Sequence, residues 1–339
     1  MTTTPAANTP DPQRIIRMAS AFYESCILFA ATDLGVFARL AQSGTADVET
    51  LAAILPADPR GLRLLLDACV ALKLLIKDGS NYRNAPDAAV FLVPGSPADL
   101  SGALRYNRDV YQAWGRLPTM VKTGAPVERP ELHLGADPAR TRTFVLSMHS
   151  RALGIGRAVI PQLDLRGCRR LLDVGGGPGT YSCLMAGANP SLHCTVLDLP
   201  AVAAIAAELI AQQGLAARVQ TLGGDYRTTP FPTGNDAVTF FGVLHQESPE
   251  SILALFRKAH AAMNPGGRIH VLDMMTDATR ANPAFSALFA VNMALTTENG
   301  WVFADAEVRE WLTAAGFRNC TVRPVGPSMP HWLASAHKP

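Results

Sequence analysis

The feature that most constrains this chain is an apolar run that ends in an acid and then breaks into glycine: Leu171-Leu172-Asp173-Val174-Gly175-Gly176-Gly177-Pro178-Gly179-Thr180-Tyr181. Four glycines within five residues cannot continue a regular element, so the pattern predicts a strand, a tight turn and a new helix. At such a junction a ligand can lie against bare backbone N–H groups and the positive end of the helix dipole. The chain is therefore expected to be α/β, with a binding crevice at the carboxyl ends of its strands.

Two ligand classes compete for the loop. A dinucleotide fold asks for G-x-G-x-x-G with an acid about 20 residues further on. Gly175 and Gly177 fit, but Thr180 stands where the third glycine belongs. An acid inside the motif, Asp173, suits a cationic, amine-bearing ligand better than a pyrophosphate, which favours S-adenosylmethionine over NAD. Two further strands end the same way. His193 to Asp198 is followed by Leu199, and Arg218 to Leu222 runs into Gly223-Gly224-Asp225-Tyr226. Asp198 is placed for ribose hydroxyls. Asp225 can accept from an adenine amino group while Tyr226 offers a face for stacking. Any one of these acids alone reads equally well as a helix cap or turn residue; all three in sequence make a cofactor set.

Asp236 to Leu244 reads as a fourth buried strand with His245 at its end, before a helix that Ser248, Pro249 and Glu250 open and that runs through Met263. If S-adenosylmethionine is the ligand, its methyl group goes to an acceptor lone pair held in line with it. An acceptor that must lose a proton also needs a base. His245 is the candidate, against the plainer reading of a histidine bonded to nearby backbone.

These segments (LLDVGGGPG, VLDLP, GGDY, the strand ending at His245, NPGG at Asn264 to Gly267 and AAGF at Ala314 to Phe317) resemble the S-adenosylmethionine-dependent small-molecule O-methyltransferases. That family includes plant caffeate and flavonoid enzymes and bacterial antibiotic-tailoring enzymes. The resemblance covers nearly the whole chain. It implies a metal-independent enzyme, a homodimer whose N-terminal domain closes over the partner's active site, and a methionine near cofactor and acceptor, matched by Met148. Plant members follow the histidine with Asp-Trp, where this chain has Gln246-Glu247, and carry an orienting glutamate where this chain has Val302. Unless Glu247 or Glu298 substitutes for that glutamate, His245 is expected to be less well oriented and less basic than in the plant members.

Before that core, Ile15 to Thr32 reads as one long apolar helix. Thr45 stands before a helix running to Leu55, and Asp58-Pro59-Arg60 opens another, with Leu62, Leu65, Leu66, Cys69 and Val70 as its buried face. Leu74 to Lys77 and Asn81 to Asn84 form a two-strand wing. A winged-helix shape raises a rival from another class, a ligand-responsive DNA-binding regulator. Residues 1 to 150 carry 15 Lys and Arg against 14 Asp and Glu, with no basic run, which is a poor footprint for DNA. The opening residues lack a signal-peptide pattern and read as a disordered tail, and Glu24, Asp33 and Arg39 interrupt the apolar stretch from Phe22 to Leu40, so neither export nor a membrane span is expected. Six scattered cysteines without a C-x-x-C pair fit a reduced, cytoplasmic protein.

Further on, Leu104 to Val121 reads as a helix, and another from about Pro138 passes through Met148 and His149. The apolar helix Ala284 to Leu295 is expected to line an acceptor pocket with Phe285, Phe289, Asn292 and Met293, each equally readable as core. The expected architecture is a Rossmann-like seven-stranded methyltransferase sheet at 119–339, preceded by a helical winged-helix dimerisation domain at 11–118. The expected activity is methylation of a hydroxyl on a small aromatic secondary metabolite, with His245 as base. The cofactor is S-adenosylmethionine, held by Asp173, Gly175, Gly177, Asp198, Leu199, Gly224, Asp225 and Tyr226. Met148, His149, Phe289, Asn292 and Met293 form the substrate pocket, and no metal, nucleic acid or membrane takes part. C- or N-methylation, or a non-methylating relative of the fold, is the alternative within enzymes.

Overall fold

The structure, a computed structural model, describes residues 10–96, 98–129, 135–327 and 329–339. The expected N-terminal tail lies almost wholly outside them. The chain divides into two compact units, the first ending at Arg105 and the second beginning at Tyr106.

In the first unit, helices α1 (Pro12–Ser20), α2 (Phe22–Asp33), α3 (Val36–Ser43), α4 (Val48–Ile54) and α5 (Pro59–Ala71) precede strands β1 (Leu75–Asp78) and β2 (Asn81–Asn84) and helix α6 (Pro86–Phe91). The expected single helix from Ile15 to Thr32 is two, meeting at Ala21. The Ser20 hydroxyl donates back to the carbonyls of Ile16 and Arg17, a pattern that bends helices. Together Pro12–Asp33 are long and apolar enough, by length and composition alone, to cross a membrane. The stretch from Phe22 to Leu40 is broken at Gly35, whose φ of +75° ends α2. Asp47, not Thr45, caps α4, accepting from the Thr50 N–H at 2.8 Å. Asp58 caps α5 with Pro59 as its first residue. Leu62, Leu66 and Cys69 of α5 are buried against Phe37, Leu40, Leu51, Leu75 and Tyr82. Leu65 and Val70 are only partly buried, at the margin of that core. Strands β1 and β2 pair antiparallel where two strands are expected, the first one residue later than Leu74 to Lys77.

Helix α7 (Ser101–Trp114) carries the boundary, and α8 (Leu117–Thr123) follows after a break at Gly115-Arg116, so the expected helix from Leu104 to Val121 is also two. The second unit then runs α9 (Pro138–Val159), β3 (Arg170–Val174), α10 (Thr180–Ala188), β4 (His193–Asp198), α11 (Pro200–Gln212), β5 (Val219–Gly223), β6 (Asn235–Phe241), α12 (Pro249–Ala262) and β7 (Met263–Met274). Helices α13 (Ala284–Thr296) and α14 (Asp305–Ala314) and strands β8 (Arg318–Gly326) and β9 (Met329–His337) complete it.

Its seven-stranded sheet has the order β5-β4-β3-β6-β7-β9-β8. Pairing is parallel from β5 to β7, and only β9 runs against its neighbours. Strands β3 and β6 are almost wholly buried because helices cover both faces of the sheet. On one face Phe240, Phe256, Ile269, Val308 and Phe317 pack together; on the other Cys183, Met185, Val196, Ile210 and Leu272 do. The order reverses between β3 and β6, and a crevice opens beyond their carboxyl ends. Strand β6 stops at Phe241, short of the expected Leu244. Gly242 takes φ +69°, and Leu244–Gln246 form a single 3₁₀ turn that lifts His245 to the rim.

Candidate active site

A cavity of about 290 Å³ lies at this switch point, and its wall is drawn entirely from the second unit. Gly175 and Gly177 form its floor on the β3–α10 turn. Gly175 has φ +65°, and a Cβ there would stand 2.6 Å from Val243; Gly177 has φ +52° and open space before it. The Gly177 N–H donates to Asp198 Oδ2 at 2.8 Å, and the Leu199 N–H to Asp198 Oδ1 at 2.7 Å. Burial pushes the Asp198 carboxyl up to about 6, against the pull of those two N–H groups. Asp198, Leu199, Asp225 and Tyr226 all line the cavity, as do Met148, Phe289 and Met293.

Five residues expected at the site do not. Asp173 is completely buried; Ser182 Oγ and Thr239 Oγ1 donate to its two carboxylate oxygens, each at 2.7 Å. Burial raises it to about 6, with both hydroxyls opposing. It braces the loop from behind, and Gly176 is glycine because a Cβ would come 2.7 Å from its Oδ2. Gly224 sits beneath Thr229, outside the lining. His149 turns its Nδ1 to Thr180 Oγ1 at 2.7 Å, and burial holds it below the ordinary histidine pKa. Asn292 is tied up, accepting from Trp114 Nε1 at 3.0 Å and donating to the Tyr106 hydroxyl at 2.8 Å. It thus fixes the wall without forming its surface. Phe285 is 54% exposed and also lies outside the lining.

His245 lines the cavity, with 15% of its side chain exposed. Its Nδ1 lies 2.7 Å from Asp273 Oδ1, while the Leu244 and His245 N–H groups donate to Asp273 Oδ2 at 3.2 and 3.3 Å. Met274 N–H adds a bond to Oδ1 at 2.8 Å. Four donors therefore converge on a carboxylate that is 1% exposed, and its orientation fixes that of the imidazole. Phe289 packs edge-on against the ring at 5.1 Å. Asp273, and neither Glu247 nor Glu298, takes the place of the plant glutamate: Glu247 is engaged by Arg227, Tyr226 and Ser251, and Glu298 is exposed. Asp273 was readable in principle, since Val271-Leu272-Asp273 repeats the apolar-run-then-acid signature of the other strand ends. Arg151, also unforeseen, lines the cavity with its guanidinium 5.4 Å over the Tyr106 ring. Among the described residues no group of three or more His, Cys, Asp and Glu is placed to hold a metal ion.

A doubly wound sheet with a glycine turn, strand-end carboxylates and a His–Asp pair around one cavity fits a nucleotide-cofactor enzyme, and comparison with known proteins makes its class the S-adenosylmethionine-dependent methyltransferases. Residues 130–318 match the O-methyltransferase domain, and 16–94 the O-methyltransferase dimerisation domain; the chain belongs to this O-methyltransferase family. It is 33% identical over 347 residues to the N,N-dimethyltransferase OxyT of Streptomyces rimosus, covering 100% of both chains. It is 32% identical over 341 residues to the tetracenomycin polyketide synthesis 8-O-methyl transferase TcmO of Streptomyces glaucescens, covering 99% of each. The structure of human N-acetylserotonin methyltransferase in complex with SAM superposes with a TM-score of 0.88 at 28% identity, over 98% of this chain and 99% of that one.

The residues present fit this cofactor. Open space before Gly177 admits a ligand against backbone, the carboxylates of Asp198 and Asp225 suit hydroxyl and amino donors, and Arg151 suits a carboxylate.

Proposed function

We propose that this protein methylates a hydroxyl group on a small aromatic secondary metabolite, with His245 as general base, and the observation that carries this is the His245–Asp273 pair in the cavity wall. Asp198 would hold the ribose hydroxyls, Asp225 and Tyr226 the adenine, and Arg151 the amino-acid carboxylate of S-adenosylmethionine. That cofactor supplies an electrophilic methyl group when bound. With Nδ1 committed to Asp273, His245 has Nε2 left to take the acceptor's proton. Asp273 then stabilises the imidazolium that forms. Met148, Phe289 and Met293 give the acceptor an apolar seat that excludes water and favours a flat ring. The printed name of the S. rimosus relative makes an amine the second reading. A built base–carboxylate pair favours the hydroxyl, because a neutral amine presents its lone pair without losing a proton first.

In this reading residues 11–118 form a winged-helix-like dimerisation domain and 119–339 the catalytic domain of a cytoplasmic homodimer. Its support is the dimerisation-domain match together with the apolar side chains Ile15, Ile16, Met18, Phe22 and Tyr23, each about half exposed or more in the single chain. Labelled-methyl transfer to matched panels of phenols, aromatic amines and activated carbons tests the function. Transfer to phenols that falls sharply in His245→Ala is expected; transfer confined to amines or carbons and undiminished in that variant would overturn it.

A further inference from the structure

Glu247 is buried, with 2% of its side chain exposed, yet is one of the most heavily bonded acids in the protein. Arg227 Nη2 donates to its Oε1 at 2.7 Å, and Arg227 Nε lies 3.1 Å from both oxygens. The Tyr226 hydroxyl donates to Oε1 at 2.7 Å and Ser251 Oγ to Oε2 at 2.5 Å. The Glu247 carbonyl accepts from Trp301 Nε1 at 2.7 Å, which fixes the residue from its backbone side as well. Gln246 Nε2 adds a donor to the Tyr226 hydroxyl at 3.2 Å. Lys258 pins the loop from beneath by donating to the carbonyls of Tyr226 and Thr229 at 2.7 and 2.9 Å.

The consequence concerns Asp225. Its Oδ1 accepts the Arg227 backbone N–H at 2.8 Å, so the guanidinium is carried by the residue bonded to that very carboxylate. An unrestrained Arg227 would close on Asp225, the nearest acid on its own loop, as a charge-assisted pair. Arg227 lines the same cavity as Asp225 and is half exposed, and its guanidinium is held there by the pair with Glu247, which also accepts from the Tyr226 hydroxyl.

We infer that Glu247 is a specificity-determining positioning residue: by sequestering Arg227 it leaves the Asp225 carboxylate free to accept the exocyclic amino group of adenine. The inference rests on the assignment of the adenine to Asp225 and Tyr226 proposed above. A purine with a carbonyl in place of that amino group presents an acceptor to an acceptor, so the protein should reject it.

The test compares dissociation constants of S-adenosylhomocysteine and its deaminated inosyl counterpart by calorimetry. Wild type should prefer the adenosyl ligand by roughly 10- to 100-fold, the scale of one hydrogen bond to a charged group. Glu247→Gln should bind the adenosyl ligand more weakly and the inosyl ligand no more weakly, or more tightly, because the freed guanidinium now faces the base. The preference should shrink to a few-fold. The double variant Glu247→Gln/Arg227→Gln leaves neither charge unpaired and should recover the wild-type preference. It also serves if the single variant does not fold. A merely structural Glu247 would weaken both ligands alike and leave their ratio intact, which overturns the inference, as does loss of preference in the double variant. A wild type with no preference would overturn the Asp225 assignment itself, and the inference with it.

Discussion

At the scale of single residues the chemistry turns on which carboxylates face the cavity and which stand behind it. Asp273 holds His245 through one oxygen and the backbone of the same turn through the other. In the proposed mechanism Asp273→Asn keeps the shape but removes the charge that would stabilise the imidazolium. It should lower kcat by about 10²-fold with little change in the KM for cofactor, a split that steady-state kinetics on both substrates reads directly. Asp198 and Asp173, both raised to about 6 by burial, make a pH prediction. A carboxyl raised above its unfolded value stabilises the fold below the unfolded pKa and loses that contribution as pH rises through about 6. Acidification from neutrality should therefore favour the free protein through these two groups. Cofactor binding should run the other way if Asp198 takes the ribose hydroxyls as proposed, since the ionised carboxylate is the better acceptor. Affinity for S-adenosylhomocysteine should fall as pH drops through about 6, and Asp198→Asn should flatten that dependence.

At the scale of elements, the glycine turn separates support from binding. In Gly175→Ala the new Cβ meets Val243 at 2.6 Å in a left-handed conformation, so a loss of roughly 1–3 kcal/mol and a Tm lower by several degrees are expected. In Gly177→Ala the Cβ meets nothing and only the left-handed backbone, at φ +52°, costs stability, so the larger loss should be in cofactor affinity, read by calorimetry beside the melting curve. These contrasts also show how far the sequence could be read. The strands, their order of appearance and the acids ending them were legible, because a short apolar run closed by an acid and glycine has few other solutions. The direction of each acid was not: Asp173 and Asp198 carry the same signature, yet one is wholly under the loop and the other faces the cavity. The two share a face, since Asp198 stands two residues beyond Val196, the cross-strand partner of Asp173; depth along the strand decides, Asp173 lying inside β3 and Asp198 at the end of β4. His149 and Asn292 lie on helices through the site, but their partners, Thr180 and Trp114, are 31 and 178 residues distant. No local pattern records such pairings. The same holds for Asp273, whose partner precedes it by 28 residues.

At the scale of the whole molecule, the family assignment accounts for both units, a dimerisation domain and a methyltransferase domain. The N-terminal helices leave Ile15, Ile16, Met18 and Tyr23 more than half exposed. Ile16→Glu combined with Met18→Glu should therefore convert a dimer into a monomer by light scattering, with the second unit's fold unchanged by circular dichroism. The account as a whole rests on a base acting on a hydroxyl, and the most direct measurement is methyl transfer by wild type and His245→Ala across phenols of graded acidity. The account predicts a rate ratio of roughly 10²–10⁴ for a phenol of pKa about 10, shrinking toward one for phenols already ionised at the assay pH. A ratio that stays constant across the series, or no loss at all, would show that His245 does not take the proton and that positioning alone drives the transfer.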